Sequence, residues 1–387
     1  MLYLDAAATA PLHEAARDAM LKVLRAGPAN ASSIHTPGQH AKTVLNHARQ
    51  QLATAIGARE SEVVFTSGGT EANNLVLKGV SIANPRGKHI VTTAIEHSSV
   101  GKTCQFLAEL AGFEVTEVEV DQYGRVNESE VIAAINNDTT IVSIGLANGE
   151  VGTVQSINRI GQAAKAAGAI MHTDAVQAAA SLPVSFGPDA WPGQYVDAMS
   201  IASHKFGGPQ GAGALLIRDN IPFEPLLHGG GQENNRRSGT ENLAAIAGFS
   251  AAVATILPTA GTRAQTMVAQ RETFITGVLE EIPGAKLTGH RSERLPNHAS
   301  FVFERTSGES ILIDLDVMGV AASSGSACSA GKKEPSSILL AMGFDPDVAT
   351  TALRFTFPEP LTDNDYNHLL DQTLAVLKRH GPKRLLE

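Results

Sequence analysis

Short apolar runs alternate with amphipathic stretches from Leu12 to Ile217. Apolar runs rich in branched residues predict buried strands, and apolar residues at every third or fourth position predict helices. The predicted strands are 62–66, 89–93, 113–120, 140–147, 168–174, 196–202 and 212–217. The predicted helices are 12–26, 39–56, one that begins at 71, one that follows 97, 128–135 and 157–167. This alternation predicts an α/β fold in which helices cover both faces of a mainly parallel sheet.

The pattern changes after Gly261. Two long helices are predicted at 263–281 and 362–379, and two further strands at 298–303 and 351–357. Helices and strands without regular alternation indicate a second, smaller α+β domain. We therefore predict a large domain over 15–255 and a small domain formed by 1–14 together with 256–387.

Polar side chains that can carry chemistry follow the predicted strands directly. In open α/β sheets, ligands bind beyond the carboxyl ends of the strands. The residues found at these positions are Ser67 to Thr70, His97, Asn148, Asp174 and Lys205. The sequence therefore predicts a binding site at this edge of the sheet.

Lys205 lies between two predicted buried strands, in the stretch VDAMSIASHKFGGPQGAGALLIR. Lysine is rarely buried without a partner, because burial of its charge is costly. A Schiff base with a carbonyl cofactor is one function that uses such a nitrogen. The alternative is an ordinary lysine in a solvent-exposed loop.

Two other stretches are typical of a site for a phosphorylated cofactor. The turn Ser67-Gly-Gly-Thr70 joins a strand to a helix, and the N–H groups at a helix start bind anions. Ordinary strand-to-helix turns use the same residues. Asp174 ends a strongly apolar strand, where a carboxylate either caps the next helix or pairs with a pyridinium nitrogen.

Three further side chains are candidates for the same site. His97 can stack on a flat cofactor and exchange protons near neutral pH, although a polar loop histidine is the alternative. Arg354 lies on the opposite face of its strand from Leu353 and Phe355, where it either contacts solvent or holds a carboxylate. Cys328 lies in AASSGSACSAG, and these small residues predict either an accessible thiol or a plain linker.

Composition narrows the class of protein. The 387 residues are 43% hydrophobic and 18% charged, which argues against a disordered chain. A net charge of −9 without basic clusters argues against nucleic acid or an anionic membrane as the main partner. The two cysteines are too few for a disulfide framework or a zinc site, and Cys104 lies in an apolar helical pattern typical of a core position.

Two stretches bear on location. The start MLYLDAAATAP lacks the basic residues and long apolar core of a signal peptide, so we expect a cytoplasmic protein. The uncharged stretch 242–262 is rich in alanine and interrupted by glycine and proline, which favours a buried helix over a membrane span.

Taken in order, the motifs resemble those of the NifS/IscS-type cysteine desulfurases, a pyridoxal-phosphate family with the aspartate aminotransferase fold. The matching stretches are YLDAAAT, SSIHTPG, FTSGGTEANN, EHSSV, NGEVG, HTDAVQ, SHKFGGPQGAG, GGGQENNRRSGTEN, SSGSACSAG and LRFTF. They span nearly the whole chain, and their order and spacing are far more specific than any single motif. The resemblance implies a homodimer with its active site at the subunit boundary.

The resemblance also implies a role for each matching residue. Lys205 would form the Schiff base, Asp174 would pair with the pyridine nitrogen, and His97 would stack on the ring. Cys328 would take up sulfur as a persulfide, and Arg354 with Asn30 would hold the substrate carboxylate. The residues implied to hold the remainder of the cofactor are Asn148 and Gln177 at the ring hydroxyl and Gly69, Thr70, Ser203, His204 and, from the other subunit, Thr240 at the phosphate.

The chain departs from the family pattern in three places. Ala202 occupies a position where the family usually has serine, which implies that one phosphate contact is lost or rearranged. Ala6 and Ala10 replace the common asparagine and threonine, and Pro358-Glu-Pro360 replaces a Gly-Arg-Phe run.

The implied reaction converts L-cysteine to L-alanine. The sulfur would pass through Cys328 to a sulfur-acceptor protein, for the assembly of iron–sulfur clusters or another sulfur-containing cofactor. Two alternatives stay open. A pyridoxal-phosphate aminotransferase or a selenocysteine lyase would keep the cofactor with a less essential Cys328, whereas a non-catalytic sulfur-relay protein would keep only the fold.

Overall fold

The computed structural model describes residues 1–83, 86–304, 306–325 and 335–380. The strands are β1 Leu2–Tyr3, β2 Val63–Thr66, β3 His89–Thr93, β4 Glu114–Val118, β5 Thr139–Ser143, β6 Ile170–Asp174, β7 Ala198–Ala202, β8 Gly213–Ile217, β9 Ala285–Leu287, β10 His298–Phe303, β11 Val320–Ala321 and β12 Leu353–Thr356. The helices are α1 Glu14–Arg25, α2 Thr36–Ile56, α3 Gly69–Ala83, α4 Ser98–Ala111, α5 Glu128–Ala134, α6 Asn158–Ala167, α7 Leu243–Ile256, α8 Ala260–Glu281, α9 Gly308–Val317, α10 Ser337–Ala341, α11 Pro346–Ala349 and α12 Asp363–His380.

A seven-stranded sheet with the order β2-β8-β7-β6-β5-β3-β4 organises the larger part of the described chain. Strands β3 to β7 pair in parallel, and β8 runs antiparallel to both of its neighbours, β2 and β7. Strand β2 therefore points in the same direction as the parallel strands. The predicted α/β fold class is confirmed, and the carboxyl ends of β2, β3, β5, β6 and β7 lie at one edge.

Helices cover both faces of this sheet. Successive residues of β5 belong to different apolar cores, with Ile141 packed among α3 and α4 residues and Val142 among α2, α6 and α7 residues. Because side chains alternate along a strand, this division means that each face of the sheet is buried. All positions of β5, β6 and β7 are buried accordingly.

A second sheet of three antiparallel strands, in the order β12-β10-β9, has its own aromatic core. Phe274 of α8 packs edge-on against Phe301, Phe355 and Phe357, and all four side chains are fully buried. The domain boundaries at 14/15 and 255/256 remain a prediction.

The first ten residues connect the two sheets. Strand β1 pairs in parallel with β11, and the backbone at Asp5 bridges to Thr356 of β12. The segment then continues towards the large sheet, where the Ala10 N–H donates to the His204 carbonyl at 2.8 Å. Residues 5–10 therefore lie across the edge at which the candidate site residues are found.

The helical run Leu243–Glu281 is long and apolar enough to cross a membrane by length and composition alone, and its most apolar 18-residue window has a mean hydropathy of 1.8. A core helix meets the same criterion, and 56% of the most apolar window is buried. Phe249 and Val253 of α7 lie in the core under the large sheet. This run is therefore weak evidence for a membrane span, in keeping with the buried helix expected there.

A buried ion pair fixes the loop before α7. Glu233 accepts from the Arg49 guanidinium at 2.6 Å and from the Phe65 N–H of β2 at 2.9 Å. Glu233, Asn234 and Asn235 have φ values of 48°, 57° and 63°, a left-handed conformation that is costly for residues other than glycine. The carboxylate contacts hold the loop in this unfavourable conformation.

We expect Glu233→Ala to lower the free energy of unfolding by about 3 to 5 kcal/mol, because the Arg49 charge would stay buried without its partner. Urea unfolding followed by circular dichroism measures the change. Glu281→Ala is the matched control, since Glu281 pairs with Lys378 at 2.8 Å on an exposed surface. That control should change stability by less than about 1 kcal/mol. Equal losses in the two variants would contradict a structural role for the buried pair.

Candidate active site

Two neighbouring strands carry the central pair of candidate residues. Asp174 is the last residue of β6 and lies beside Ser200 of β7 in the parallel register. Strand β7 ends at Ala202, and a 3₁₀ turn over Ser203–Lys205 follows. Asp174 and Lys205 therefore leave the sheet at adjacent positions of the same edge.

The N-terminal segment covers Lys205. The Lys205 Nζ donates to the carbonyl oxygen of Ala7 and to that of Ala8, the latter at 2.9 Å. The neighbouring His204 ring contacts the Thr9 hydroxyl at 3.2 Å through Nδ1. Burial, with a smaller contribution from Lys205, lowers the pKa of His204 to about 4, so this imidazole is neutral at neutral pH. Two backbone carbonyls thus hold the lysine nitrogen at the sheet edge.

The turn from β2 into α3 offers a site for an anion. The backbone of Gly69 comes so close to Val176 that a Cβ at residue 69 would lie 2.6 Å from the valine Cγ2, which only glycine avoids. The first N–H groups of α3 have no partner within the helix, and its positive end favours negative charge. Thr70 is exposed in this first turn. The same Cβ position lies 3.6 Å from Ala202, so the turn adjoins the end of β7.

Ser203, a second candidate for binding an anion, lies beside this turn. Its side chain is fully buried, and its hydroxyl has no hydrogen-bond partner among the residues that the structure describes. A buried hydroxyl without a partner costs free energy unless a ligand satisfies it. Ser203 is therefore suited to a phosphate oxygen, whereas its neighbour Ala202 can supply no side-chain donor.

Asp174 is held by two fixed donors. Its Oδ2 accepts from the Asn73 Nδ2 at 2.7 Å, and its Oδ1 accepts from the Val176 N–H at 2.9 Å. Only 8% of its surface is exposed. The hydrogen bonds fix the plane of the carboxyl group at the carboxyl end of β6.

His97 caps helix α4. Its Nδ1 accepts from the Ser99 N–H at 3.1 Å and lies 2.7 Å from the Ser99 hydroxyl. A backbone N–H can only donate, so Nδ1 carries no proton and the neutral ring has its proton on Nε2. The ring is exposed at the open side of the edge. It can therefore contact a ligand and present a proton at Nε2.

Asn148 and Gln177 each use one donor on a backbone carbonyl. The Asn148 amide donates to Ile95 at 2.9 Å, and the Gln177 amide donates to Ala7 at 3.1 Å. The Asn148 Oδ1 accepts from two backbone N–H groups of the turn that follows. An amide nitrogen has two hydrogens, so these bonds orient each side chain and use only one of its donors.

Arg354 is buried with 4% of its surface exposed. It pairs with Asp5 at 2.7 Å and donates to the carbonyls of Gly149 and Gly325 at 3.1 and 3.2 Å. Its Nε is buried and has no hydrogen-bond partner within the described part of the chain. A carboxylate is the acceptor that best matches an arginine edge.

Three further candidates and the second cysteine, Cys104, differ in setting. Asn30 and Thr240 are exposed, and the Asn30 side chain caps the Ser32 N–H at 2.8 Å. Cys328 lies outside the described residues. Cys104 is 1% exposed in α4, and burial raises the pKa of its thiol to about 12, which confirms it as a core residue.

Sequence reasoning did not single out three residues at this edge. Asn73 contacts Asp174, and Ser99 contacts His97. Glu96 accepts from the Gly145 N–H at 2.9 Å. Burial raises the pKa of Glu96 to about 7, with a smaller contribution from the Asp174 charge. Asn73 and Glu96 belong to the TEANN and EHSSV stretches, so their sequence signal was only that they lie next to the candidate residues in these motifs.

These residues fit pyridoxal phosphate. The start of α3 and the unsatisfied Ser203 hydroxyl suit the phosphate, Asp174 suits a protonated ring nitrogen, and Lys205 suits the aldehyde carbon. The exposed His97 ring suits one face of the pyridine. The cofactor fit rests on donors and acceptors that three different strand ends bring together.

Known proteins are similar to this chain in sequence over nearly its whole length. The class-V aminotransferase family model matches residues 2–366. The chain is 41% identical to the cysteine desulfurase IscS of Dictyoglomus turgidum over 379 residues, which covers 98% of this chain and 95% of that protein. It is 40% identical to the cysteine desulfurase IscS of Methanosarcina thermophila, again over 98% of this chain and 92% of the relative.

Solved structures agree in fold. A NifS-like protein superposes with a TM-score of 0.88 at 32% identity and covers 98% of this chain and 99% of its own. A structure described as SspA in complex with cysteine superposes with a TM-score of 0.80 at 32% identity, over 94% of this chain and 100% of its own.

Proposed function

Since the chain belongs to the class-V aminotransferase family and, within it, to the pyridoxal-phosphate-dependent cysteine desulfurases, we propose that Cys328 takes the sulfur of free L-cysteine as a persulfide and passes it to an acceptor protein. The observation that carries the proposal is Lys205 beside Asp174 at neighbouring strand ends, next to an anion-binding helix start. Residues Gly69, Thr70, Ser203 and His204 are assigned to the phosphate, and Asn148 and Gln177 to the ring hydroxyl.

Each residue has a defined task in this proposal. Bound pyridoxal phosphate supplies an electron sink that acidifies the Cα–H bond of an attached amino acid. The Lys205 amine removes the Cα proton. The Ala7 and Ala8 carbonyls hold this amine at the site. His97 donates and recovers protons through Nε2, because Nδ1 is committed to Ser99.

The sulfur transfer balances without an external oxidant. The Cys328 thiolate attacks the substrate sulfur, an S–S bond forms and the Cβ–S bond breaks. The electron pair of the broken bond stays on carbon and, with a proton, gives the methyl group of alanine. L-Cysteine and one thiol thus become L-alanine and one persulfide.

We expect Arg354→Lys to raise KM for L-cysteine about 10- to 100-fold, since it removes one or two charge-assisted hydrogen bonds to the substrate carboxylate. The kcat value and the affinity for pyridoxal phosphate should change little. Steady-state kinetics and a cofactor titration measure these quantities. Arg263→Lys is the matched control, because Arg263 donates to the Pro358 carbonyl at 2.9 Å near the same strand. An unchanged KM in Arg354→Lys would remove Arg354 from the substrate site.

A visible absorption spectrum before and after L-cysteine tests the function, with alanine and sulfide assayed in the same sample under reductant. We expect a cofactor band that changes on mixing and equal amounts of alanine and sulfide. Formation of a keto acid in place of alanine would indicate an aminotransferase. Protein that cannot be loaded with pyridoxal phosphate would overturn the enzymatic proposal.

The partners of this activity are proposals as well. We propose a homodimer, which is supported by exposed apolar side chains at Leu12, Leu24 and Ile34 and by the exposed Thr240, assigned to the partner's phosphate site. Light scattering during size exclusion should give twice the chain mass. An iron–sulfur scaffold or a similar acceptor would receive the sulfur, and a cytoplasmic location remains a prediction.

A further inference from the structure

We propose that Asn73 is a positioning residue that holds the Asp174 carboxylate for the pyridine nitrogen and joins it, through Ser99, to His97. The inference deepens the proposed function and rests on it, because it concerns the same cofactor site. Neither the sequence motifs nor the family resemblance assigned a role to Asn73 or to Ser99.

Asn73 lies one turn into α3, just beyond the anion-binding start of the helix. It is 1% exposed, and its Nδ2 donates to the Asp174 Oδ2 at 2.7 Å and to the Ser99 Oγ at 2.9 Å. Both hydrogens of the amide nitrogen are therefore used. Three elements meet at this nitrogen, namely α3, the end of β6 and the start of α4.

The orientation of the amide follows from its neighbours. Its Oδ1 is buried and has no hydrogen-bond partner among the described residues. A flipped amide would place this oxygen against the Asp174 carboxylate, and two acceptors repel each other. The unsatisfied oxygen is a cost that the structure carries to keep the nitrogen on Asp174.

The hydrogen bonds run in one direction. Ser99 accepts from Asn73 through Oγ, so its own hydroxyl hydrogen is free to donate to the His97 Nδ1 at 2.7 Å. The Ser99 N–H donates to the same Nδ1. The path Asn73–Ser99–His97 therefore fixes the ring assigned to one face of the cofactor, while Asn73–Asp174 fixes the group assigned to its nitrogen.

Cofactor affinity measured with and without the ring nitrogen tests this role. Apoprotein is titrated with pyridoxal phosphate and with its 1-deaza analogue, in which carbon replaces the ring nitrogen. We expect Asn73→Leu, which keeps the number and branching of the side-chain heavy atoms, to weaken pyridoxal phosphate binding about tenfold, as one charge-assisted hydrogen bond predicts. The wild-type protein and the variant should bind the analogue with affinities that agree within about a factor of two, because the analogue has no ring nitrogen for Asp174 to contact.

Two further variants and one spectrum complete the test. Asn74→Leu is the matched control, because Asn74 lies on the same helix and bonds Thr70 and Thr103 instead of Asp174. It should leave both affinities within about twofold of wild type. Asn73→Ala gives the same comparison if the leucine variant fails to fold. In ¹⁵N-labelled cofactor, the ring nitrogen signal should move towards the unprotonated position in the Asn73 variants and stay at the wild-type position in Asn74→Leu.

Three outcomes would overturn the inference. Wild-type affinity and a wild-type nitrogen signal in both Asn73 variants would overturn it alone and leave the proposed function intact. Equal losses for the cofactor and the deaza analogue would show a purely structural residue and would also overturn it. Wild-type protein that binds neither compound would overturn the proposed function together with the inference.

Discussion

Lys205→Ala is expected to lower kcat/KM for alanine formation by about 10⁴-fold or more, since it removes both the covalent attachment point and the base. The replacement also removes the Lys205 hydrogen bonds to the Ala7 and Ala8 carbonyls, so the N-terminal segment should become more susceptible to proteolysis. Turnover is measured by alanine release. Borohydride treatment and mass spectrometry show whether the cofactor is attached at residue 205.

Lys88→Ala is the matched control for this experiment. Lys88 also donates to a backbone carbonyl, that of Ala111 at 2.9 Å, but on an exposed surface. Its replacement should leave turnover and the borohydride-stable adduct unchanged. An adduct at another lysine, or full activity in Lys205→Ala, would assign the covalent role to a different residue.

Cys328→Ala is expected to abolish persulfide formation and to lower alanine release by about 10³-fold or more, because the attacking thiolate is lost. Cofactor binding should be unchanged, since Cys328 is not among the residues assigned to the cofactor. Alkylation of the persulfide followed by mass spectrometry measures the first quantity. Alanine release at the wild-type rate would favour the selenocysteine lyase alternative.

Cys104→Ala provides the comparison within the same chain. The Cys104 thiol is buried in α4, and its pKa of about 12 keeps it protonated and unreactive at neutral pH. This variant should keep its activity and form a persulfide at Cys328. A persulfide found on Cys104 in the wild-type protein would contradict the proposed sulfur path.

Most helices and strands could be predicted because their apolar residues recur with a clear period along the chain. Strands β3 and β10 have the predicted bounds, 89–93 and 298–303, since each is a continuous buried run. Strand β5 is shorter than predicted and ends at Ser143, because the chain leaves the sheet there to reach Asn148. Helix α9 was not predicted, and in it only Gly308, Ile311 and Leu315 are buried.

The contacts across the site were less predictable than the strand ends. Strand order brought Asp174 and Lys205 to one edge, as parallel topology requires, and these residues could be chosen from the sequence. The contact of residues 7–8 with Lys205 could not be predicted from the sequence, because a contact across 198 residues leaves no local pattern. The Asn73 bonds to Asp174 and Ser99 likewise depend on side-chain geometry that periodicity does not encode.

The N-terminal segment has a consequence for biosynthesis. Leu2 pairs with Val320 and Asp5 bridges to Thr356, so residues 2–5 cannot dock until residues 320–356 have been synthesised. Contacts of such long sequence separation form late in folding. During translation, the seven-stranded sheet can form while the ribosome still holds the segment that contains β12. Residues 7–8 can therefore cover Lys205 only after β12 has left the ribosome, and we expect cofactor capture to follow that step.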